Sequence, residues 1–170
     1  YINETSKLSN LILEYIALSL GLGKDTITNC FGQDHTSFIR LNHYPIEDVL
    51  SGDNSQFTPP GELGLNPHSD AGVLTVLLQD DIGGLEVCYK NQWIPVPPTE
   101  GAFVINIGDL MQVWGNDHYK ANLHRVQPSK KASRYSIPFF FNPSYKTVVS
   151  PLTEEIGEAP KYRPIPWGEF

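Results

Sequence analysis

Basic residues are in short supply. The chain has 170 residues, with 12 Lys and Arg against 19 Asp and Glu, for a formal net charge of −7. No basic stripe exists to pair with phosphates, which argues against a nucleic-acid partner. Long hydrophobic runs are also missing. No apolar stretch has the length of a bilayer span, and the first residues do not read as a basic-then-apolar leader, so no membrane partner is expected. Cysteine is scarce: Cys30 and Cys88 sit far apart without metal-type spacing. They read as small core residues of a protein kept in a reducing compartment, the cytoplasm by default. Internal repeats and low-complexity segments are absent. What remains is the composition of one ordinary globular domain, long enough to bury a core of its own.

Along the chain, Leu8, Leu11, Ile12, Tyr15, Ile16, Leu18 and Leu20 largely follow a 3.6 period, which predicts an amphipathic helix over 4–22, stopped by Gly21-Leu22-Gly23. A second short helix is expected around 25–31. The pattern then turns to strand over 37–44, with Pro45 as a stop. Residues 46–65 form a polar loop rich in Pro, Gly, Ser and Asp; a loop this long leading into His68 reads equally as the lid or mouth of a site and as a flexible insertion without a role. Short strands follow at 73–79, 85–89, 92–96, 102–107, 121–127 and 134–141, with a helical turn at 109–114. Many short strands with regular turn signals mean a sandwich or barrel of antiparallel sheet. The Pro- and Glu-rich tail, 151–166, is expected to wrap the surface.

Three pairs of residues and one further histidine carry the chemistry. His68 and Asp70 are two apart, and side chains at i and i+2 of extended chain share a face. An imidazole nitrogen beside a carboxylate begins a divalent transition-metal site. A solvated turn before a strand would have the same pattern. His124, in Leu123-His124-Arg125-Val126, supplies a second imidazole. Two histidines and one carboxylate on one side of a metal are the facial triad of non-haem Fe(II) oxygenases, whose open positions admit O2 and an organic co-substrate. Arg134 and Ser136 share a face of an apolar strand. An inward arginine is costly unless paired. A ligand carboxylate held by its bidentate fork, with the Ser136 hydroxyl alongside, is one solution, and a salt bridge to a distant acid is the other. Asn42 and Tyr44 also share a face and could steady the chelating end of a keto acid; Tyr44 could equally be core. His43 then points the other way. His35 and His118 are expected to be solvated, and Asp80, Asp81 and Asp109 to serve turns and caps.

His68-x-Asp70, His124 and Arg134-x-Ser136 together resemble the 2-oxoglutarate- and Fe(II)-dependent dioxygenase superfamily. The likeness is greatest to its branch of isopenicillin N synthase and the plant flavonoid and gibberellin oxidases. Asn42-His43-Tyr44-Pro45, Leu74-Thr75-Val76-Leu77-Leu78-Gln79-Asp80, Gly83-Gly84-Leu85-Glu86-Val87, Ile107-Gly108-Asp109 and Ser136-Ile137-Pro138-Phe139-Phe140 fit it as well, so the resemblance spans roughly 37–151. It implies a mainly β fold: a double-stranded β-helix, or jelly roll, with flanking N-terminal helices and the metal at one open end. It implies His68, Asp70 and His124 as iron ligands and Arg134 and Ser136 on the distal carboxylate of 2-oxoglutarate. Asn42 and Tyr44 would contact the co-substrate near the metal, and Phe140 would pack the substrate, with Phe139 or Phe141 nearby. The implied reaction consumes O2 and 2-oxoglutarate, with ascorbate in support, releases succinate and CO2, and hydroxylates, desaturates or cyclises a small organic metabolite. Relatives carry more chain before and after this stretch. Residues 1–170 therefore read as a single catalytic domain lacking most of the N-terminal region and the extreme C-terminus. Three other readings stay open: a 2-oxoglutarate-independent oxidase of the same fold, a non-catalytic jelly-roll binding module, and a zinc hydrolase.

Overall fold

The computed structural model describes residues 1–46, 64–153 and 157–170; most of the expected loop, at 47–63, lies outside the described residues. Helix α1 spans Ile2–Ser19 and ends where Gly21 takes φ +78, with the Leu22 amide donating back to the Ala17 carbonyl at 3.0 Å. Its buried stripe differs from the one expected. Thr5, Ser9, Leu13, Ile16 and Ala17 are buried, whereas Leu11, Tyr15 and Leu18 are exposed. The two hydroxyls tolerate burial because each donates to a carbonyl four residues back, Thr5 Oγ1 to Tyr1 O at 3.0 Å and Ser9 Oγ to Thr5 O at 2.8 Å. The second expected helix is only a 3-10 turn, Thr28–Cys30. The β-branched Thr26, Ile27 and Thr28 disfavour helix, and so short a segment does not repay nucleation.

The strands are β1 Phe38–Ile39, β2 Asn42–Tyr44, β3 Leu65–His68, β4 Leu74–Gln79, β5 Leu85–Tyr89, β6 Gln92–Pro95 and β7 Val104–Ile107. After the short helix α2, Asp109–Trp114, come β8 His124–Val126, β9 Arg134–Phe141, β10 Val148–Val149 and β11 Ile165–Pro166. One antiparallel sheet runs β1–β9–β4–β7, with β2 also on β9; the other runs β3–β8–β5–β6. The tail closes on itself as the ribbon β10–β11. The strand expected over 37–44 is interrupted between β1 and β2. Both halves keep one register on β9, from Phe38 opposite Phe140 to Tyr44 opposite Arg134. The gap falls beside Pro138, which accepts from the Arg40 amide at 3.0 Å but has no N–H to return. Strand β3 was not expected.

The first sheet has two unlike faces. Leu74, Val76, Phe139 and Phe141 face α1 and α2 and build the core with Leu13, Ile16, Leu110 and Trp114. Thr75, Leu77, Arg134, Ser136 and Phe140 face a cavity between the two sheets. Period-two alternation assigns the two sets. It also corrects the expected aromatic wall: Phe140 lines the cavity, but Phe139 and Phe141 point away from it into the core.

Candidate metal centre and its cavity

His68 ends β3 and His124 begins β8, directly opposite each other in the register of that pair. Their ring centroids are 4.3 Å apart. Asp70 lies past the end of β3, so extended-chain alternation is not what brings it to them. The turn after His68 does so. The first amides of α2 lack partners within the helix and donate to this turn instead: Asp109 N to Asp70 O at 2.8 Å and Leu110 N to Gly72 O at 3.0 Å. The approach is close enough that a Cβ on Gly108 would stand 2.1 Å from Gly72 O and 2.9 Å from Asp70 O.

The free lone pairs decide what this cluster can hold. His68 Nδ1 is 2.8 Å from Asn66 O, and His124 Nδ1 is 3.2 Å from Asn122 O. A carbonyl only accepts, so each Nδ1 carries the proton and each Nε2 presents a lone pair. Those Nε2 atoms stand 3.7 and 3.6 Å from Asp70 Oδ1. Asp70 Oδ2 is engaged elsewhere, accepting from Thr75 Oγ1 at 2.6 Å and Asn106 Nδ2 at 2.7 Å. One ligand atom from each side chain lies within 4.8 Å of the others. Two imidazole nitrogens and one carboxylate oxygen, each anchored from behind, suit a divalent transition metal such as iron(II).

Arg134 lines the same cavity, which has a volume of about 280 Å³. It is 2 % exposed, and among the described residues no carboxylate lies within ion-pair distance of it. Its hydrogen bonds go to neutral groups, Nη1 to Ser136 Oγ at 3.3 Å and Nη2 to Gln79 Oε1 at 3.0 Å, while Nε has no partner among the described residues. Burial pushes the guanidinium below arginine's usual range, and the Tyr44 side chain and the Asp80 charge pull it partly back. The Tyr44 ring lies beneath it, 5.1 Å from centroid to Cζ. Asn42 sits opposite Ser136, and its Nδ2 donates to Ser136 Oγ at 3.4 Å. Ser136 Oγ thus accepts twice, which leaves its own proton to give to a ligand.

Residues 35–143 match the family model described as the 2OG-Fe(II) oxygenase superfamily. The chain belongs to that superfamily. It is 42% identical over 149 residues to Protein DMR6-LIKE OXYGENASE 2 of Arabidopsis thaliana, a match covering 86% of this chain and 39% of the relative. To Feruloyl CoA ortho-hydroxylase 1 of the same plant it is 38% identical over 174 residues, covering 100% of the chain and 46% of the relative. The crystal structure of JOX2 in complex with 2OG, Fe and JA superposes with a TM-score of 0.86 at 36% identity, over 98% of this chain and 48% of that one. The chain therefore spans less than half the length of these relatives. The jelly roll expected from the sequence is the fold of the superfamily members it superposes on.

Within this superfamily chain, His68, Asp70 and His124 meet at one place, and Asn42, Tyr44, Arg134, Ser136 and Phe140 line one cavity with them. His43 points away, as expected, and stacks on Tyr135 at 4.7 Å. His118 is not simply solvated: its Nε2 lies 3.0 Å from Glu158 Oε1. Three supporting residues escaped the sequence reading, namely Thr75 and Asn106 behind Asp70 and Gln79 beside Arg134. Thr75 and Asn106 are partners across β4 and β7. A polar residue in each of two apolar strands was the available signal.

Proposed function

We propose that residues 1–170 form the catalytic domain of an Fe(II)- and 2-oxoglutarate-dependent dioxygenase that hydroxylates, desaturates or cyclises a small organic metabolite. One observation carries this reading: a single cavity contains three convergent metal-type donor atoms and a buried guanidinium with only neutral partners. His68 Nε2, Asp70 Oδ1 and His124 Nε2 would hold the iron. Bound iron supplies O2 activation, driven by oxidative decarboxylation of 2-oxoglutarate to succinate and CO2, with ascorbate in support. Arg134 would grip the distal carboxylate of 2-oxoglutarate through its fork, and Ser136 would donate to the same group. Asn42 and Tyr44 would steady the keto-acid end. Phe140 and the aliphatic side chains of the wall would pack the substrate and exclude water.

A cytoplasmic setting fits the two free cysteines. The acidic balance gives no support for a nucleic-acid partner, and no helix of the described residues is long and apolar enough to cross a membrane. The test is a screen of small metabolites for substrate-stimulated succinate formation, with O2 uptake followed in parallel. Uptake without 2-oxoglutarate would mean an independent oxidase. An intact fold that binds no iron(II) would mean a binding module.

A further inference from the structure

Arg40 is a charged group of the cavity to which the proposed reaction gives no task. It lies between β1 and β2, its amide tied to Pro138 O at 3.0 Å. Its side chain contributes to the cavity wall, with Cζ 5.6 Å from the centroid of the Phe140 ring. Among the described residues it has no carboxylate at ion-pair distance, whereas Arg125, on the outer face of the other sheet, holds Glu86 at 2.6 Å. The charges inside the cavity give Arg40 a meaning. Suppose Fe(II) and the 2-oxoglutarate dianion are bound. The Asp70 carboxylate and the Arg134 guanidinium then bring the sum to zero. Among the described residues, Arg40 remains as one uncompensated cation beside an aromatic ring and an aliphatic wall.

We propose that Arg40 and Phe140 form a carboxylate-recognition subsite, and that the substrate is a small monoanionic organic acid. The acid's carboxylate pairs with the Arg40 fork at the rim, and its apolar body lies along Phe140 toward the metal. Stacking on Phe140 holds the fork in place, so less side-chain freedom is lost on binding. A single cation matches a monoanion better than a phosphate dianion. The space of about 280 Å³ between the described residues, shared with 2-oxoglutarate, suits an acid with about one ring as the first probe. The proposal rests on the dioxygenase reading of the site, and its test separates the two.

The chain is loaded with Mn(II), which does not turn over, and saturated with 2-oxoglutarate; that titration comes first, and its failure would overturn the dioxygenase reading and the proposal with it, whereas the outcomes below bear on the proposal alone. Phenylacetate, 3-phenylpropionate and cinnamate are then titrated calorimetrically against their primary amides, with phenyl phosphate as a further arm. At least one carboxylate should bind about three- to tenfold tighter than its amide, the size of a partly exposed ion pair. Arg40→Gln should erase that preference, Arg40→Lys should keep part of it, and neither should change 2-oxoglutarate affinity. Arg40 is exposed and its backbone contact is retained, so both variants should melt with the parent chain. Equal binding of every acid and its amide, including no binding of either, overturns the proposal. So does a preference that survives Arg40→Gln, a carboxylate displaced by 2-oxoglutarate and dependent on Arg134, or phenyl phosphate binding tightest.

Discussion

Asp70 divides its two oxygens between tasks. Oδ2 is fixed by Thr75 and Asn106, so that Oδ1 alone turns to the histidines. Removing the donors behind a ligand loosens it without deleting it, and such changes typically cost about 10–100-fold in metal affinity. Asn106→Ala combined with Thr75→Val is expected to weaken Co(II) binding by that amount in a direct titration, with an unchanged circular dichroism spectrum. Arg134 is the converse case, a buried cation that has only neutral partners among the described residues. Arg134→Gln should cost about 10–100-fold in 2-oxoglutarate affinity, since a charge-assisted pair is lost. Arg134→Lys should not restore it, because an ammonium lacks the planar fork. Arg134→Gln should leave the ligand-free chain no less stable to urea, since a desolvated charge has been removed. The sequence pointed to Arg134 because a charge in an apolar strand demands a partner. It did not single out Thr75 and Asn106, since nothing local says which carboxylate they face.

At the scale of elements, the turn after β3 is positioned by the N-terminus of α2 rather than by strand pairing. Gly108 permits that contact, so Gly108→Ala drives a methyl into the carbonyls of Gly72 and Asp70. A loss of about 3 kcal/mol in urea unfolding is expected, as for other overpacked sites, together with weakened metal binding. The loop after α2 clasps the tail. Tyr162 OH donates to Asp117 Oδ1 at 2.5 Å, Lys120 Nζ lies 2.8 Å and Lys161 Nζ 3.8 Å from Asp117. Asn116 and His118 both reach Glu158 at 3.0 Å. Hydrogen bonds from Lys120 and Tyr162 hold the Asp117 carboxyl below its usual range, and those from Asn116 and His118 do so for Glu158. Lowered carboxyl values mean stability that is fully present above the unfolded value of about 4 and lost as pH falls through the lower folded ones. Protection factors from hydrogen exchange over 157–163, corrected for the intrinsic pH dependence of exchange, should therefore be constant from neutral pH down to about 5 and should fall below about 4. Protection lost already between pH 7 and 6 would contradict the assignment to the two carboxyls.

For the whole molecule, the first sheet separates two environments. One face is a dry core under α1; the other faces a cavity lined by polar and charged side chains from both sheets. Such an interior carries uncompensated cost until its ligands arrive, so binding should stabilise the fold by linkage. Co(II) and 2-oxoglutarate at about a hundred times their dissociation constants should each add about 2.7 kcal/mol. At about 2–4 °C per kcal/mol, together they should raise the melting temperature by about 10–20 °C. His124→Ala should abolish the Co(II) share in differential scanning calorimetry. By itself the sequence determined what depends on near neighbours. Alternation along β9 put Arg134, Ser136 and Phe140 on one face, the turn residues punctuated the strands, and Gly21 stopped α1. It also determined which groups could not rest unpaired in an apolar strand. Tertiary structure decided the rest. Only the pairing of β3 with β8 sets the two imidazoles opposite each other, only the docking of α2 carries Asp70 to them, and only the facing of two sheets makes a cavity between them. The reason is physical: spacing along the chain dictates the direction of a side chain relative to its neighbours, whereas a distance between residues far apart in sequence exists only after the backbone has closed.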